Sequence, residues 1–100
     1  MGSFTQLPYH IVFATKYRRP TINAARQERL YEYIGGILRA KKGRLIEIGG
    51  TSDHLHILTR LSTSTAVADV VRHVKANSSR WINELPEFTP AFEWQKGYRR

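Results

Sequence analysis

Alternating apolar and polar residues mark three stretches of the chain. Over residues 4–16, one side of an extended chain carries Leu7, Tyr9, Ile11 and Phe13, and the other side carries His10, Val12 and Ala14. Because successive side chains of a strand point to opposite faces, this period of two predicts a first strand. The same period in residues 44–48 and 53–61 predicts a second and a third strand.

Two further stretches repeat apolar residues every three or four positions, which is the spacing of one face of a helix. The first covers residues 24–42 and follows a candidate N-cap at Thr21 or Asn23. The second follows Ser62-Thr63-Ser64, which we interpret as a cap cluster, and runs to about Leu85. Its buried stripe is predicted to comprise Val67, Val70, Val71, Val74, Ser78, Trp81, Ile82 and Leu85.

The order of these elements predicts the fold class. Residues 49–52 form a short glycine-containing turn, so the second and third strands are expected to pair as a hairpin, and residues 92–98 predict a fourth strand. Strand, helix, strand, strand, helix, strand is the order of the split βαβ, or ferredoxin-like, arrangement. We therefore expect one α+β domain over residues 1–100, with a four-stranded antiparallel sheet and both helices on one face.

Composition adds a class of partner to this picture. The 100 residues include 16 Lys and Arg against 8 Asp and Glu, which gives a formal net charge of +8. A charge of this size on a small domain favours a polyanion, most commonly nucleic acid. The absence of cysteine excludes disulfides and thiolate metal sites, and no apolar run is long enough to cross a membrane. We expect a soluble protein of the cytoplasm.

Basic residues are concentrated after the first strand and around the end of the first helix, in excess of what helix capping needs. We interpret both clusters as contacts to phosphates. The first comprises Lys16, Arg18 and Arg19, with Tyr17 among them as a candidate base-stacking surface. The second comprises Arg39, Lys41, Lys42 and Arg44. Lys75 and Arg80 on the second helix either extend this surface or lie on a solvated helix face.

The residues with the most specific chemistry are His54 and His56, which lie two positions apart on the predicted third strand. Side chains at this spacing share a face, so two imidazoles lie side by side while Leu55 points into the core. Such a pair is half of a divalent-metal site, and Asp53 is a candidate further ligand or a partner that fixes a histidine tautomer. From spacing alone, two ordinary polar residues on a solvent-facing strand are the commoner explanation of the pattern.

These motifs together resemble the single-tyrosine HUH transposases, which move bacterial and archaeal insertion sequences as single-stranded DNA. HUH stands for histidine, hydrophobic residue, histidine, and His54-Leu55-His56 matches it. The resemblance covers essentially the whole chain. It is carried by YHIVFATKYRRP at residues 9–20, DHLHIL at 53–58, VKANSS at 74–79 and FEWQKGY at 92–98.

The resemblance implies a mechanism and a set of partners. His54 and His56 would hold Mg²⁺ or Mn²⁺ at the scissile phosphate, where the ion acts as a Lewis acid. A tyrosine hydroxyl would attack that phosphate to give a 5′-phosphotyrosine and a free 3′-hydroxyl, and the reverse reaction would join strands. The implied partners are single-stranded DNA with hairpins and a second copy of the chain in a homodimer.

The chain departs from the family at one point. In the family the nucleophilic tyrosine and a further metal ligand lie on a helix after the fourth strand, whereas this sequence ends Gly97-Tyr98-Arg99-Arg100. We therefore assign no nucleophile and expect a truncated transposase that does not cleave DNA. Two other functions stay open: a non-catalytic nucleic-acid-binding module, such as a regulator of a full-length transposase, and a dimerising or small-ligand regulator whose charge is incidental.

Overall fold

Three strands and two long helices make up the fold, in a computed structural model that describes residues 6–85 and 92–98. Their order along the chain is β1 (Gln6–Ala14), α1 (Ala24–Ala40), β2 (Arg44–Gly50), β3 (His54–Ser62) and α2 (Val67–Asn83). A single turn of 3-10 helix, Lys16–Arg18, follows β1. The prediction of an α+β chain is confirmed. Phe4 and Thr5, which we included in the first strand, lie outside the described residues.

The sheet is antiparallel, and β3 is its central strand. β1 pairs with it from Gln6↔Ser62 to Ala14↔His54, and β2 pairs with it from Arg44↔Arg60 to Gly50↔Leu55. The β2 register shifts between Leu45 and Glu47. The predicted hairpin of β2 and β3 is therefore confirmed, although β2 continues through Gly49 and Gly50, which we had placed in the turn. His54 and His56 consequently lie on the strand that has neighbours on both sides.

The two faces of the sheet differ as the alternation predicted. Leu55, Ile57 and Leu61 of β3 are buried beneath the helices, and Ile11 and Phe13 of β1 lie opposite two of them. Burial of side chains of this size contributes about 1.5–3 kcal/mol each to folding. The alternate residues of β3 point to the open face, which no described helix covers. Packing on one face therefore fixes which side chains the other face presents.

The two helices begin differently. Asn23 is the N-cap of α1, and its side chain accepts a hydrogen bond from Arg26 N at 2.8 Å, as predicted. The N-cap of α2 is Ala66, which makes no side-chain capping bond, so our interpretation of Ser62-Thr63-Ser64 as a cap cluster is wrong. Ser62 is still paired in β3, and its hydroxyl accepts a hydrogen bond from Ser64 N instead.

The predicted fourth strand is seen only as one bridge. Within the described residues, Trp94 pairs with Thr15, and Gln95 N donates to the Ala14 carbonyl at 2.8 Å. Gly97 then adopts a φ of +81°, which turns the backbone away from an extended path. The sheet described here thus has three strands.

Neither α1 nor α2 combines the length and the apolar character of a membrane-spanning helix.

Candidate metal and nucleic-acid site

His54 and His56 project from the open face of β3, on either side of the buried Leu55. Both are half-buried, and their strand neighbours on β1 are Ala14 and Val12. The small and medium-sized neighbours leave both imidazoles accessible. The predicted placement of the pair on one face is confirmed, and the backbone of the central strand holds the two rings in a fixed relation.

A short polar network orients His54. Its Nδ1 lies 3.0 Å from Asp53 Oδ1 and 2.9 Å from Thr51 Oγ1, and the Thr51 hydroxyl donates to the same Asp53 oxygen at 3.1 Å. The hydrogen bond with His54 lowers the pKa of Asp53, with smaller contributions from Thr51 and Arg18. Asp53 is therefore ionised at neutral pH and accepts from Nδ1, which leaves Nε2 as the ring nitrogen that can meet a ligand.

A glycine accommodates the ring of His56. Gly49 is its partner on β2, and a Cβ built there would lie 3.0 Å from His56 Nε2. Any larger residue would have to displace the ring. On the other side, His10 meets His56 edge to face, with ring centroids 5.5 Å apart. His56 is thus positioned by packing, whereas His54 is positioned by hydrogen bonds.

The histidine pair fits part of a divalent-metal site. Across residues 6–85 and 92–98, no group of three or more His, Cys, Asp or Glu side chains is close enough to hold an ion. Two imidazole nitrogens on a rigid strand suit a divalent cation, and phosphate or water oxygens are the ligands that would complete its shell. The donor set is compatible with metal binding that depends on a phosphate substrate.

The basic loop after β1 lies beside this pair. Thr15 is buried and ties the loop to Asp53: its N donates to the Asp53 carbonyl at 2.9 Å, and its hydroxyl lies 2.7 Å from the Arg19 carbonyl and 3.1 Å from the Asp53 carbonyl. Arg18 faces the Asp53 carboxylate at 3.5 Å, and Lys16 pairs with Glu93 at 3.3 Å in an exposed contact. The first predicted cluster is therefore brought to the histidine end of the sheet.

Tyr17 occupies the tip of that loop in a conformation that few tyrosines adopt. Its φ is +58° and its side chain is 69% exposed. Backbone in this left-handed region costs of order 1–3 kcal/mol for a bulky residue. Its ring lies 5.5 Å from Lys16 Nζ and 5.2 Å from Arg19 Cζ, and Gln95 Oε1 accepts from Tyr17 N at 3.2 Å. The loop thus holds an aromatic surface between two cations.

The remaining predicted contacts lie elsewhere. Arg39, Lys41, Lys42 and Arg44 lie at the end of α1 and the start of β2, which is the end of the sheet away from His54. Lys75 donates to the Gln95 and Gly97 carbonyls, and burial lowers its pKa. Arg80 is exposed on α2 and donates to Asn77. The structure divides the predicted surface into two ends and gives Lys75 a structural contact.

Comparison with known proteins decides the family. The family model described as "Transposase IS200 like" matches residues 3–100. This chain belongs to the IS200-like transposase family. The IS200 transposase of Salmonella typhimurium is 29% identical over 76 residues, which is 76% of this chain and 50% of that protein, and the Salmonella typhi protein gives the same values. The chain spans about half the length of these curated relatives.

Two solved structures share the fold of this IS200-like chain. A putative transposase from Deinococcus radiodurans superposes with a TM-score of 0.84 at 22% identity, covering 99% of this chain and 80% of that one. A REP-associated tyrosine transposase bound to a REP hairpin gives a TM-score of 0.71 at 12% identity, covering 99% and 58%. At these identities the likeness establishes the arrangement of strands and helices.

Several residues that position the histidine pair and the basic loop were missed from sequence. Thr51 and Thr15 hold the Asp53 region, Gly49 makes room for His56, and Gln95 supports the Tyr17 loop. Two of these had a local signal. A glycine inside a strand often marks a close approach, and a threonine in a turn often bonds to a nearby aspartate. Thr15 and Gln95 act through contacts that no local pattern encodes.

Proposed function

We propose that this chain supplies the metal- and DNA-binding part of a transposase that cleaves and rejoins single-stranded DNA near hairpin ends. The observation that carries the proposal is the paired presentation of His54 and His56 on the open face of β3. The hydrogen bond from His54 to Asp53 leaves Nε2 available, and the basic loop at residues 15–19 lies at the same end of the sheet.

In this proposal His54 and His56 hold a divalent ion, Mg²⁺ or Mn²⁺. When bound, that ion supplies Lewis-acid polarisation of the scissile phosphate. Asp53 keeps the proton of His54 on Nδ1, and Gly49 leaves the space that the His56 ring occupies. Arg18 ties the basic loop to Asp53, so the loop and the metal-binding face share one set of contacts.

The basic loop is proposed to bind the DNA next to the histidines. Lys16 and Arg19 provide charge for phosphates, and the exposed ring of Tyr17 between them offers a surface on which an unpaired base can stack. A depression of about 270 Å³, lined in part by Val12, Ala14 and Arg18, lies on the β1 side of the histidines. The REP hairpin bound to a protein of the same fold supports a hairpin-bearing partner.

We propose that none of the described tyrosines is the nucleophile, so these 100 residues alone bind DNA without forming a phosphotyrosine. Tyr31 and Tyr33 belong to α1, and Tyr33 stacks on Trp81 of α2 with centroids 4.4 Å apart. Tyr9 packs against the core. Tyr17 is assigned to the basic loop that is proposed to bind DNA, and Tyr98 belongs to the 92–98 segment.

We also propose a homodimer. β2 is an outer strand of the described sheet, and outer strands offer free backbone groups for pairing with another chain. Ile46 at its irregularity is 46% exposed, which adds an apolar contact. Sedimentation at micromolar concentration is expected to give twice the 11.6 kDa chain mass; a monomer would contradict this part of the proposal.

The test uses a fluorescent hairpin DNA with a single-stranded 5′ extension. We expect wild-type binding that weakens steeply with salt, is strengthened by Mn²⁺ over EDTA, and gives no covalent adduct on a denaturing gel. The double variant His54→Ala/His56→Ala should lose the Mn²⁺ effect. If it keeps that effect, the non-catalytic module is favoured, and weak, salt-insensitive binding by the wild type would favour a regulator of another kind. A covalent adduct would contradict the assignment of the nucleophile.

A further inference from the structure

The basic loop at residues 15–19 contains two consecutive residues with left-handed backbone. Tyr17 has a φ of +58° and a ψ of +21°, and Arg18 has a φ of +55°. Glycine, and less often asparagine, are the residues that adopt this conformation readily. In other residues it persists only where the surrounding structure enforces it, and it is concentrated at sites that bind ligands. The contacts that enforce it here are therefore candidates for a functional role.

Part of this enforcement comes from the loop itself. Arg18 N donates to the Thr15 carbonyl at 3.0 Å, and Arg19 N donates to the Lys16 carbonyl at 3.3 Å. The Thr15 hydroxyl donates to the Arg19 carbonyl at 2.7 Å and closes the loop. None of these three bonds involves the backbone N–H of Tyr17, which is bonded from another part of the chain.

Gln95 supplies the partner of that N–H. Its side-chain Oε1 accepts from Tyr17 N at 3.2 Å, and its own backbone N donates to the Ala14 carbonyl at 2.8 Å, just before the loop. The two bonds are separable, because only the first one uses the side chain. An apolar residue at position 95 would keep the bond to Ala14 and would remove the acceptor from Tyr17.

Lys75 of α2 fixes the backbone of Gln95. Its Nζ donates to the Gln95 carbonyl and to the Gly97 carbonyl, the latter at 2.7 Å. Gly97 has a φ of +81°, so the ammonium spans two carbonyls at the point where the segment turns. Two of the three ammonium hydrogens are thus used inside the protein. Lys75 is half-buried, and its charge is directed at the 95–97 backbone.

We propose that Gln95 and Lys75 are positioning residues that hold Tyr17 in its left-handed conformation, so that its ring is presented to an unpaired base of the DNA. This rests on the proposed function, in which the basic loop binds single-stranded DNA. The ring is 69% exposed and lies between the cations of Lys16 and Arg19. A ring that is ordered before binding avoids the entropy cost of ordering it in the complex. In this account Lys75 acts through the loop and contacts no phosphate.

The test compares two probes that differ only in their bases. Both are the fluorescent hairpin DNA with a single-stranded 5′ extension, and in the second probe the nucleotides of the extension are abasic. Tyr17→Ala should weaken binding of the base-bearing probe about tenfold, because it removes the surface on which a base stacks. Binding of the abasic probe should change less than twofold.

Gln95→Leu removes the acceptor and keeps the size of the side chain. We expect it to weaken the base-bearing probe about fivefold and the abasic probe less than twofold. In a Tyr17→Ala background the same substitution should have no further effect, because Gln95 acts through the ring. Gln95→Glu keeps a side-chain oxygen, so it should bind both probes less tightly but retain the wild-type ratio between them.

Lys75→Met distinguishes a positioning role from a phosphate contact. Positioning predicts about a threefold loss for the base-bearing probe and an unchanged salt slope, whereas a phosphate contact predicts equal losses for both probes and a slope lower by about one. Arg72→Met is the matched control, since it removes an exposed charge from the preceding turn of α2. It should leave both probes within twofold of wild type.

The inference is overturned if Gln95→Leu weakens both probes equally, or if its effect persists in the Tyr17→Ala background. A lower salt slope in Lys75→Met overturns the role of Lys75. Circular dichroism checks folding, and because the Gln95 side chain is exposed, its variants test the inference even if Lys75→Met unfolds.

The proposed function is tested separately in the same titrations, because wild-type binding and its Mn²⁺ dependence are measured with both probes. A wild type that binds with Mn²⁺ dependence while the variants show no base-dependent loss removes the inference alone. Failure of the wild type to bind either probe removes the proposed function and the inference together.

Discussion

The two ends of β3 are held in place to different degrees. At the histidine end, Thr15 N donates to the Asp53 carbonyl and Ile22 N donates to the Ser52 carbonyl, each at 2.9 Å, while the Thr15 hydroxyl donates to the Arg19 carbonyl at 2.7 Å. At the opposite end, where Ser62 and Lys42 lie, Gln6 Nε2 reaches the Lys42 carbonyl at 3.4 Å. The proposed function explains this difference, because chemistry at a scissile phosphate requires fixed atoms, whereas phosphate contacts tolerate adjustable side chains.

The segment at residues 92–95 accounts for much of the order at the histidine end. Asn83 bonds to both the N and the carbonyl of Phe92, at 2.7 and 2.9 Å, and Trp94 Nε1 donates to Ser78 Oγ at 3.0 Å. The ring of Phe92 is fully buried and meets Trp94 edge to face. These contacts join α2 to the end of β1 and to the basic loop.

The largest expected effect tests the contacts that residues 92–95 make with α2 and with the end of β1. Phe92→Ala should lower the free energy of unfolding by about 3–4 kcal/mol, because it removes a fully buried ring and leaves a cavity. Leu7→Ala is the matched control at the opposite end of the sheet, where the side chain is 45% exposed, and it should cost less than about 1 kcal/mol. Urea denaturation measures both. Equal losses would show that the two ends do not differ in this way.

Asp53→Asn tests the orientation of His54. The amide can donate toward Nδ1 and so favours the wrong tautomer, and loss of such a partner typically costs 10- to 100-fold in metal affinity. We expect Mn²⁺ affinity to fall about tenfold with little change in stability. The control is Asp69→Asn, an exposed carboxylate paired with Arg72 on α2, which should leave Mn²⁺ binding unchanged. Similar affinities in the two variants would argue against a role for Asp53.

Two variants of Lys42, which follows the end of α1, distinguish an effect on stability from an effect on DNA binding. Lys42→Gly and Lys42→Ala remove the same charge, but only glycine fits a φ of +62° without strain. Lys42→Gly should therefore be more stable than Lys42→Ala by about 1 kcal/mol. Both variants should weaken binding of the fluorescent hairpin DNA by the same factor of about three, because Lys42 is one of the predicted phosphate contacts. Thermal unfolding and fluorescence anisotropy give the two readings. A difference in DNA affinity between the variants would mean that backbone shape, and not the ammonium, makes the contact.

The smallest predicted effect concerns Gly49. An added methyl would lie 3.0 Å from His56 Nε2, so the ring must shift by a few tenths of an ångström. Gly49→Ala is expected to weaken Mn²⁺ binding about threefold, which is about 0.65 kcal/mol. Gly36→Ala in α1 meets only the flexible end of Arg39 at 3.9 Å and should leave Mn²⁺ binding unchanged while stabilising the helix by about 1 kcal/mol. Equal Mn²⁺ affinities would contradict the contact at Gly49.

Local periodicity was sufficient to predict the strands, the helices and the shared face of His54 and His56, because packing against one core enforces those periods. It was insufficient for residues 92–98, whose path depends on Asn83 and on the end of β1. It also misplaced the cap of α2, because Ser62 is held by its pairing in β3. The two basic clusters lie at opposite ends of the sheet. This separation follows from antiparallel strand pairing, which a local sequence pattern does not encode.

The most direct test of the central claim is a calorimetric titration of Mn²⁺ into the protein bound to hairpin DNA. The account predicts one Mn²⁺ per chain for the wild type and an affinity reduced about 100-fold or more in both His54→Ala and His56→Ala, because each removes one of two protein ligands. His73→Ala, an exposed histidine on α2, should match the wild type. Unchanged Mn²⁺ affinity in either of the two strand variants would contradict the account.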